Sequence, residues 1–329
     1  MSGGAALPIG VIGVGSLGFH HARILRDMKG TEMVGVYDAN PTRAAEVAAP
    51  LGVTAFASVE ALLTVAEAAV VAVPTTVHER VALQAIERGV HLLIEKPLAS
   101  TLEEADRILQ AAGSQGLLIA TGHVERYNSA LRAAEQYLDR PLFIESHRLA
   151  PFGPRGTDVA VVLDLMIHDI DLVLSVAGRE VLHVDAVGVP VLTPMVDIAN
   201  ARIRFEGGAA ANITASRVSR ERMRKIRFFQ RSGYISLDFE TGTGEYLRLR
   251  RGAKPLELGG PIASLEDIVE RIELHGDGRE PLRCELEAFV SAVRGEPALI
   301  VSGQDGRRAL AVALDIVQRT ENVADSHTA

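Results

Sequence analysis

The chain contains a single cysteine, Cys284, which excludes an intrachain disulfide and any zinc site built on several thiolates. No excess of basic residues is present either. With a formal charge of −8 over 329 residues, the chain has no electrostatic footprint for nucleic acid, although a local group of arginines can still serve one small anionic ligand. No uncharged stretch reaches the ~18 apolar residues of a membrane-spanning helix. The opening MSGGAALPIG lacks the basic region of a secretory signal, so a cytoplasmic protein with no membrane partner is expected. Internal repeats, low-complexity tracts and long charge runs are missing too. What remains is 47% hydrophobic and 23% charged, the composition of an ordinary globular protein. The length exceeds what one core usually serves, so two domains are expected.

The stretch from Ile9 to Asp38 organises the first of them. A short apolar run, Ile9 to Ile12, passes into Gly13, Gly15 and Gly18, then into helical spacing, then into a second apolar run that ends at Asp38. This is a strand, a tight turn, a helix and a strand. Gly13 makes the sharp turn, Gly15 lets a pyrophosphate approach the backbone, and Gly18 lets helix and strand pack closely. Ser16 and Leu17 open the helix, whose first turn offers N–H groups and a positive dipole end to phosphates. Asp38 is spaced to accept the hydroxyls of an adenosine ribose and to repel a 2′-phosphate, which points to NAD over NADP. His21, on the same helix, reads as a packing or capping residue without a chemical role.

Apolar runs at Ala69 to Val73, Val90 to Ile94 and Leu117 to Thr121 alternate with helical segments. That alternation implies a parallel sheet with helices on both faces. Ligands of such sheets bind beyond the carboxyl ends of the strands. Two loops are therefore singled out. In the first, Pro74 stops the ladder, Thr75 or Thr76 caps the next helix, and Pro74, Thr75 and His78 are placed against the cofactor. In the second, a buried strand delivers Glu95 and Lys96 to the rim before Pro97. A lysine there acts as a positive charge or proton donor near a developing oxyanion; the plain alternative is a solvated surface pair. Ser100 and Glu103 form a capping-box pattern for the following helix.

The character of the chain changes at Gly122, which divides it into residues 1–122 and 123–329. In the second part Ala199, Ala201, Ile203 and Phe205 alternate with Asn200, Arg202 and Arg204, and the pattern resumes after Gly207 and Gly208. A second pair flanks Ser232 and Gly233. These are antiparallel hairpins with one face packed and the other polar or covered by a partner subunit. Helical spacing returns near Pro281 to Arg294 and Gly303 to Glu321.

Between the halves lies VVLDLMIHDIDLV, Val161 to Val173. On a regular helix His168 falls about 40° from Asp164, with Asp171 roughly 20° to the other side, so one face presents all three. Three readings stand beside one another. The stripe satisfies core hydrogen bonds or faces water, Asp164 and His168 bind a metal, or His168 is a general acid/base with Asp164 orienting its ring. The third is preferred, because oxidation of an alcohol at a dinucleotide site requires a proton acceptor.

GVGSLGFHHA, PTTVH, EKPLA and DLMIHDID, in that order, resemble the glucose-fructose oxidoreductase, inositol dehydrogenase and rhizopine-catabolism (Gfo/Idh/MocA) family over nearly the whole chain. The resemblance implies an α/β protein: an N-terminal Rossmann domain with a doubly wound parallel sheet, then an α/β domain with a large, mainly antiparallel open sheet. That second domain would serve substrate binding and assembly into a homodimer or homotetramer. The resemblance further implies an NAD-dependent dehydrogenase, with Lys96, Asp164 and His168 as catalytic residues and no metal. Val161, Val162 and Leu163 stand where many members carry glycines. With GHVERYN from Gly122 to Asn128, the chain is similar to the branch that oxidises UDP-N-acetylglucosamine or its uronic acid at the 3-hydroxyl. On that reading Asn128 and the arginines Arg126, Arg148, Arg155 and Arg217 meet the substrate beside Asp164 and His168, because a guanidinium fork fits a diphosphate. A free sugar or cyclitol is the alternative substrate. A non-catalytic dinucleotide sensor is the alternative of another class.

Overall fold

The computed structural model describes residues 5–153, 159–250 and 268–326, with side chains through Glu321. Arg155 lies outside the described residues. The chain forms two compact units, Met1–Val124 with Glu280–Leu310, and Glu125–Arg279 with Ala311–Ala329.

The first unit is built on a six-stranded parallel sheet in the order β3-β2-β1-β4-β5-β6. Its strands are β1 (Leu7–Ile12), β2 (Thr31–Tyr37), β3 (Thr54–Ala55), β4 (Ala68–Val71), β5 (His91–Glu95) and β6 (Ile119–Gly122). β4 is buried at every position, as a strand covered on both faces must be. The helices between them are α1 (Ser16–Arg26), α2 (Pro41–Leu51), α3 (Val59–Leu63), α4 (His78–Glu87) and α5 (Leu102–Gln115). The strand order reverses between β1 and β4, the switch point where this architecture binds its ligands.

Local signals set the helix ends. Asn40 caps α2 by accepting from the Thr42 and Arg43 amides, Pro41 supplies the fixed φ of the first position, and Gly52 ends the helix in the left-handed region. For α5 the cap is Thr101, which accepts from the Glu104 amide, and Glu104 Oε2 takes the Ser100 amide at 2.8 Å. The capping box thus falls one residue beyond the expected Ser100 and Glu103. Neither Thr75 nor Thr76 caps α4. A 3-10 turn at Thr75–Val77 precedes that helix, and no side-chain cap is made at Pro74 or Val77.

A helix expected in the second half, α8 (Pro281–Val293), belongs to the first unit. Its Leu286, Phe289 and Val290 join one apolar cluster with Ile9 and Val11 of β1 and Ile24 and Leu25 of α1. The stripe of α1 needs that cover, so the division at residue 122 does not hold for residues 280–310. The last helix, α9 (Gly303–Ser326), begins in the first unit and continues into the second.

The second unit holds an eight-stranded sheet in the order β14-β13-β12-β11-β7-β10-β9-β8. The strands are β7 (Phe143–Leu149), β8 (Val181–Val189), β9 (Ile198–Phe205), β10 (Ala210–Ser216), β11 (Met223–Gln230), β12 (Gly233–Asp238), β13 (Thr243–Leu249) and β14 (Val269–His275). All pairings are antiparallel except β7 with β10. Ala199, Ala201, Ile203 and Phe205 of β9 are buried while Asn200, Arg202 and Arg204 are exposed, as the alternation requires. On the outer face Arg202 bonds Asn212 and Arg227 bonds Glu145. Among the described residues the unit also holds α6 (Ser129–Ala134), α7 (Ile167–Ala177) and the end of α9, with a π turn at Val162–Met166 leading into α7. No described helix is long and apolar enough to cross a membrane.

Candidate active site

In the first unit the turn after β1 is shaped by what its glycines avoid. Gly13 has a φ of +87°, and a Cβ there would stand 2.6 Å from the Ala72 carbonyl oxygen, so only glycine fits. A Cβ on Gly18 would lie 1.8 Å from the Gly13 carbonyl oxygen; α1 reaches the turn only because that atom is missing. Gly15, Ser16 and Leu17 are exposed, and a Cβ on Gly15 would meet nothing within 4 Å. α1 has neither a side-chain cap at Gly15 nor an acidic residue in its first turn, so nothing in its own sequence neutralises the positive end of its dipole.

Asp38 follows β2. Its Oδ2 accepts from the Val14 amide at 2.8 Å and its Oδ1 from the Asn40 amide at 2.9 Å, which fixes the carboxylate beside the turn. Each oxygen retains capacity for a further donor. Open backbone at a helix terminus for a diphosphate, with a fixed carboxylate for a ribose diol, fits NAD.

The loops after β4 and β5 are tied to each other. His78 is buried, its Nδ1 3.0 Å from the Pro97 carbonyl oxygen and its Nε2 3.0 Å from that of Val73. Burial pushes His78 below the usual imidazole range, with the bonds to Val73 and Pro97 opposing it. Both ring nitrogens thus face carbonyl oxygens inside the protein, and a neutral ring donates to one of them, where the sequence placed His78 against the cofactor. Pro74 is exposed and Thr75 half-buried at the same rim.

Glu95, at the end of β5, is 7% exposed. Its Oε1 lies 2.7 Å from His21 Nε2 and its Oε2 accepts from the Lys96 amide at 3.2 Å. Lys96 itself is half-buried, and the Lys96–Pro97 peptide is cis. His21 is fully buried. Sequence reasoning gave it no chemistry. Only the helical spacing of His21 behind Gly18 hinted that its ring points at the sheet, and nothing local named a partner 74 residues away.

In the second unit Asp164 stands in the π turn and His168 in the first turn of α7, both half-buried. The stripe of Asp164, His168 and Asp171 expected from a regular helix is thus interrupted by a wider turn at Asp164, while Asp171 is buried against Arg126. π turns of this kind are frequent at functional sites. Among the described residues no group of three or more His, Cys, Asp or Glu side chains is arranged to hold a metal ion.

The residues around His168 are held by arginines. Arg148, on the inner face of β7, is buried and donates from Nε to Asp169 Oδ2 at 2.6 Å, from Nη2 to Asp169 Oδ1 at 3.3 Å and from Nη1 to Glu125 Oε1 at 2.8 Å. Burial alone would weaken its charge, but Asp169 and Glu125 outweigh that and hold its pKa above the usual arginine value. Ser146 Oγ donates to the same Asp169 at 2.9 Å. Arg126 makes a two-pronged pair with Asp171, both contacts 2.7 Å. Asn128 caps α6 through the Ala130 amide and donates to Glu125 and to the Phe239 carbonyl.

Arg217 is buried beside Asp197, with Nε 3.6 Å from Oδ1, and donates to the Val159 and Val196 carbonyls. Asp197 also accepts from the Val191, Leu192 and Thr193 amides at 2.6–2.9 Å. Burial raises its pKa, but these amides and the Thr193 hydroxyl lower it more, to about 2. The arginines Arg126, Arg148 and Arg217 and the amide of Asn128, expected at the substrate, thus bond carboxylates and carbonyls of their own unit, because α7 and the loop at 190–197 bury acids that need cations.

The chain matches the profile of an oxidoreductase family with an NAD-binding Rossmann fold over residues 7–123, and the GFO/IDH/MocA C-terminal domain over residues 134–236. It is 40% identical over 308 residues to the UDP-N-acetylglucosamine 3-dehydrogenase of Acidithiobacillus ferrooxidans, covering 93% of this chain and 95% of that one. The solved structure of that enzyme superposes with a TM-score of 0.88 at 38% identity, over 97% of this chain and 99% of the other. The scyllo-inositol 2-dehydrogenase (NAD(+)) of Bacillus subtilis is 28% identical over 228 residues, 64% of this chain and 67% of its own. With both family domains matched and a relative of 40% identity across 93% of its length, the chain belongs to the Gfo/Idh/MocA family of NAD-binding oxidoreductases.

Proposed function

We propose that the protein oxidises a secondary alcohol of a sugar, the 3-hydroxyl of a UDP-N-acetylhexosamine, to the ketone. The observation that carries this reading is the 40% identity with a UDP-N-acetylglucosamine 3-dehydrogenase across 93% of the chain. Gly13, Gly15, Ser16, Leu17 and Gly18 hold the diphosphate of NAD, Asp38 its adenosine ribose, and Pro74, Thr75, Glu95 and Lys96 line the path toward its nicotinamide. When bound, NAD supplies the hydride acceptor. His168 takes the hydroxyl proton, Asp164 orients the imidazole or meets the substrate hydroxyl, and the Lys96 ammonium steadies the alkoxide.

Replacing Lys96 by Met or His168 by Ala is expected to lower kcat by about a hundredfold or more; near-normal turnover in both variants refutes these roles. Asp38→Ala narrows the preference for NADH over NADPH, read as the ratio of dissociation constants, and an unchanged ratio removes that carboxylate from cofactor choice.

The inward arginines favour a second reading, a free sugar or cyclitol without a diphosphate. Steady-state NADH formation from UDP-N-acetylglucosamine, N-acetylglucosamine and myo-inositol separates the two. Competitive inhibition by UDP supports the first, and indifference to UDP supports the second. We also place the protein in the cytoplasm as a homodimer or homotetramer joined through the outer face of the eight-stranded sheet, where Val187, Val189 and Phe229 are exposed. Light scattering that returns the monomer mass overturns the assembly.

A further inference from the structure

Lys96 is delivered by a backbone segment with little freedom of its own, and the group that fixes it is not adjacent in sequence. Glu95 precedes it with both carboxylate oxygens engaged, Oε1 with His21 Nε2 at 2.7 Å and Oε2 with the Lys96 amide at 3.2 Å. A Cβ on Gly122 would lie 2.9 Å from Glu95 Oε2, so the carboxylate is packed against the backbone of β6 where only glycine leaves it room. On the far side of Lys96, the Pro97 carbonyl is met by His78.

The ring of His21 is oriented by the carboxylate alone. It is fully buried, and its Nδ1 has no hydrogen-bond partner among the described residues. A carboxylate facing a ring nitrogen at this distance takes its hydrogen bond there, which leaves Nδ1 as the ring atom without a partner. A buried polar atom without a partner has a real cost, of about 1 kcal/mol or more. An apolar residue of the same volume would avoid it. A histidine here has one evident task, the bond to Glu95.

We infer that His21 is a positioning residue for Lys96, acting through Glu95: it holds the carboxylate that anchors the Lys96 amide, and so sets where the ammonium group stands. The inference rests on the role given to Lys96 above. It concerns a residue in the helix that serves the diphosphate, and it makes that helix serve the reacting end as well.

The test uses His21→Leu, which keeps the volume and removes the donor, and His21→Gln, whose amide can donate to the same oxygen. In His21→Leu, kcat falls about 10- to 100-fold, while the NADH dissociation constant, read from nicotinamide fluorescence, stays within about threefold. His21→Gln restores most of the loss. A purely structural pair would instead lower the melting temperature in both variants and leave kcat unchanged, and that result overturns the inference.

A second readout needs no substrate. The chain has only four lysines, Lys29, Lys96, Lys225 and Lys254, so reductive methylation with 13C-formaldehyde gives a sparse spectrum in which Lys96→Met assigns the Lys96 signal. That signal moves in His21→Leu and returns in His21→Gln; a signal unmoved in His21→Leu refutes the positioning role. If His21→Leu does not fold, His21→Met, which also lacks a donor but is flexible enough to fit the buried space, replaces it in both measurements with the same expected and opposing outcomes. Should Lys96→Met retain full turnover, the catalytic reading of Lys96 fails, and the methyl signal still decides whether His21 places it.

Discussion

The two units carry their candidate proton-handling residues on buried polar frames of different chemistry. Around Lys96 the frame is made of histidines, His21 against Glu95 and His78 against the Val73 and Pro97 carbonyls. Around His168 it is made of arginines, Arg148 against Asp169 and Glu125, and Arg126 against Asp171. Arginine keeps its charge at every pH a folded protein meets, and its fork engages two carboxylates at once. Imidazole gains a proton near neutrality. The difference teaches that the second frame is strong and indifferent to pH until carboxylates protonate, whereas the first contains a buried ring, His78, that resists the proton and that mild acid therefore works against.

The sharpest way to break this comparison is Arg148→Met. It leaves Asp169 buried without its cation and Glu125 with only Arg224, 4.0 Å away, and unfolding free energy from urea titration falls by about 3–5 kcal/mol. A loss below about 1 kcal/mol would place the two frames on an equal footing. Arg126→Ala ranks next. Its side chain is 21% exposed but that of its partner Asp171 only 2%, and the expected loss is about 2 kcal/mol.

The smallest effect separates the frames by pH. The folded-state value of His78 lies below that of the unfolded chain. Below the unfolded value of about 6.5, the unfolded chain therefore binds a proton that the folded chain refuses. Its contribution is whole above that pH and declines as pH falls. Wild type is expected to lose more stability than His78→Gln between pH 7.5 and 5.5, by up to roughly 1 kcal/mol. Parallel losses in the two proteins would show that the ring does not titrate against folding.

Features fixed by short-range geometry were legible in the chain itself. Gly13, Gly15, Gly18 and Asp38 announce a turn because each spacing answers a local steric demand, and the alternation from Ala199 to Ala215 announces a hairpin because side chains on a strand change face at every step. Pairs closed through space were not legible. Arg148 and Asp169 are 21 residues apart and His21 and Glu95 are 74 apart, and no periodicity records which buried acid a given base will meet. The arginines looked like diphosphate ligands because a guanidinium fork suits phosphate and carboxylate alike. The π turn at Val162–Met166 leaves no mark in a periodicity read at a fixed helical step, and α8 is assigned by its position in the chain, whereas apolar demand from α1 decides where it packs.

That last feature bears on anyone who would cut the molecule down. Residues 1–124 look like a portable cofactor module, yet without Leu286, Phe289 and Val290 the fragment would present a bare oily stripe and be prone to clump. A usable minimal piece has to be spliced from two distant stretches of the gene, with a designed bridge in place of everything between them.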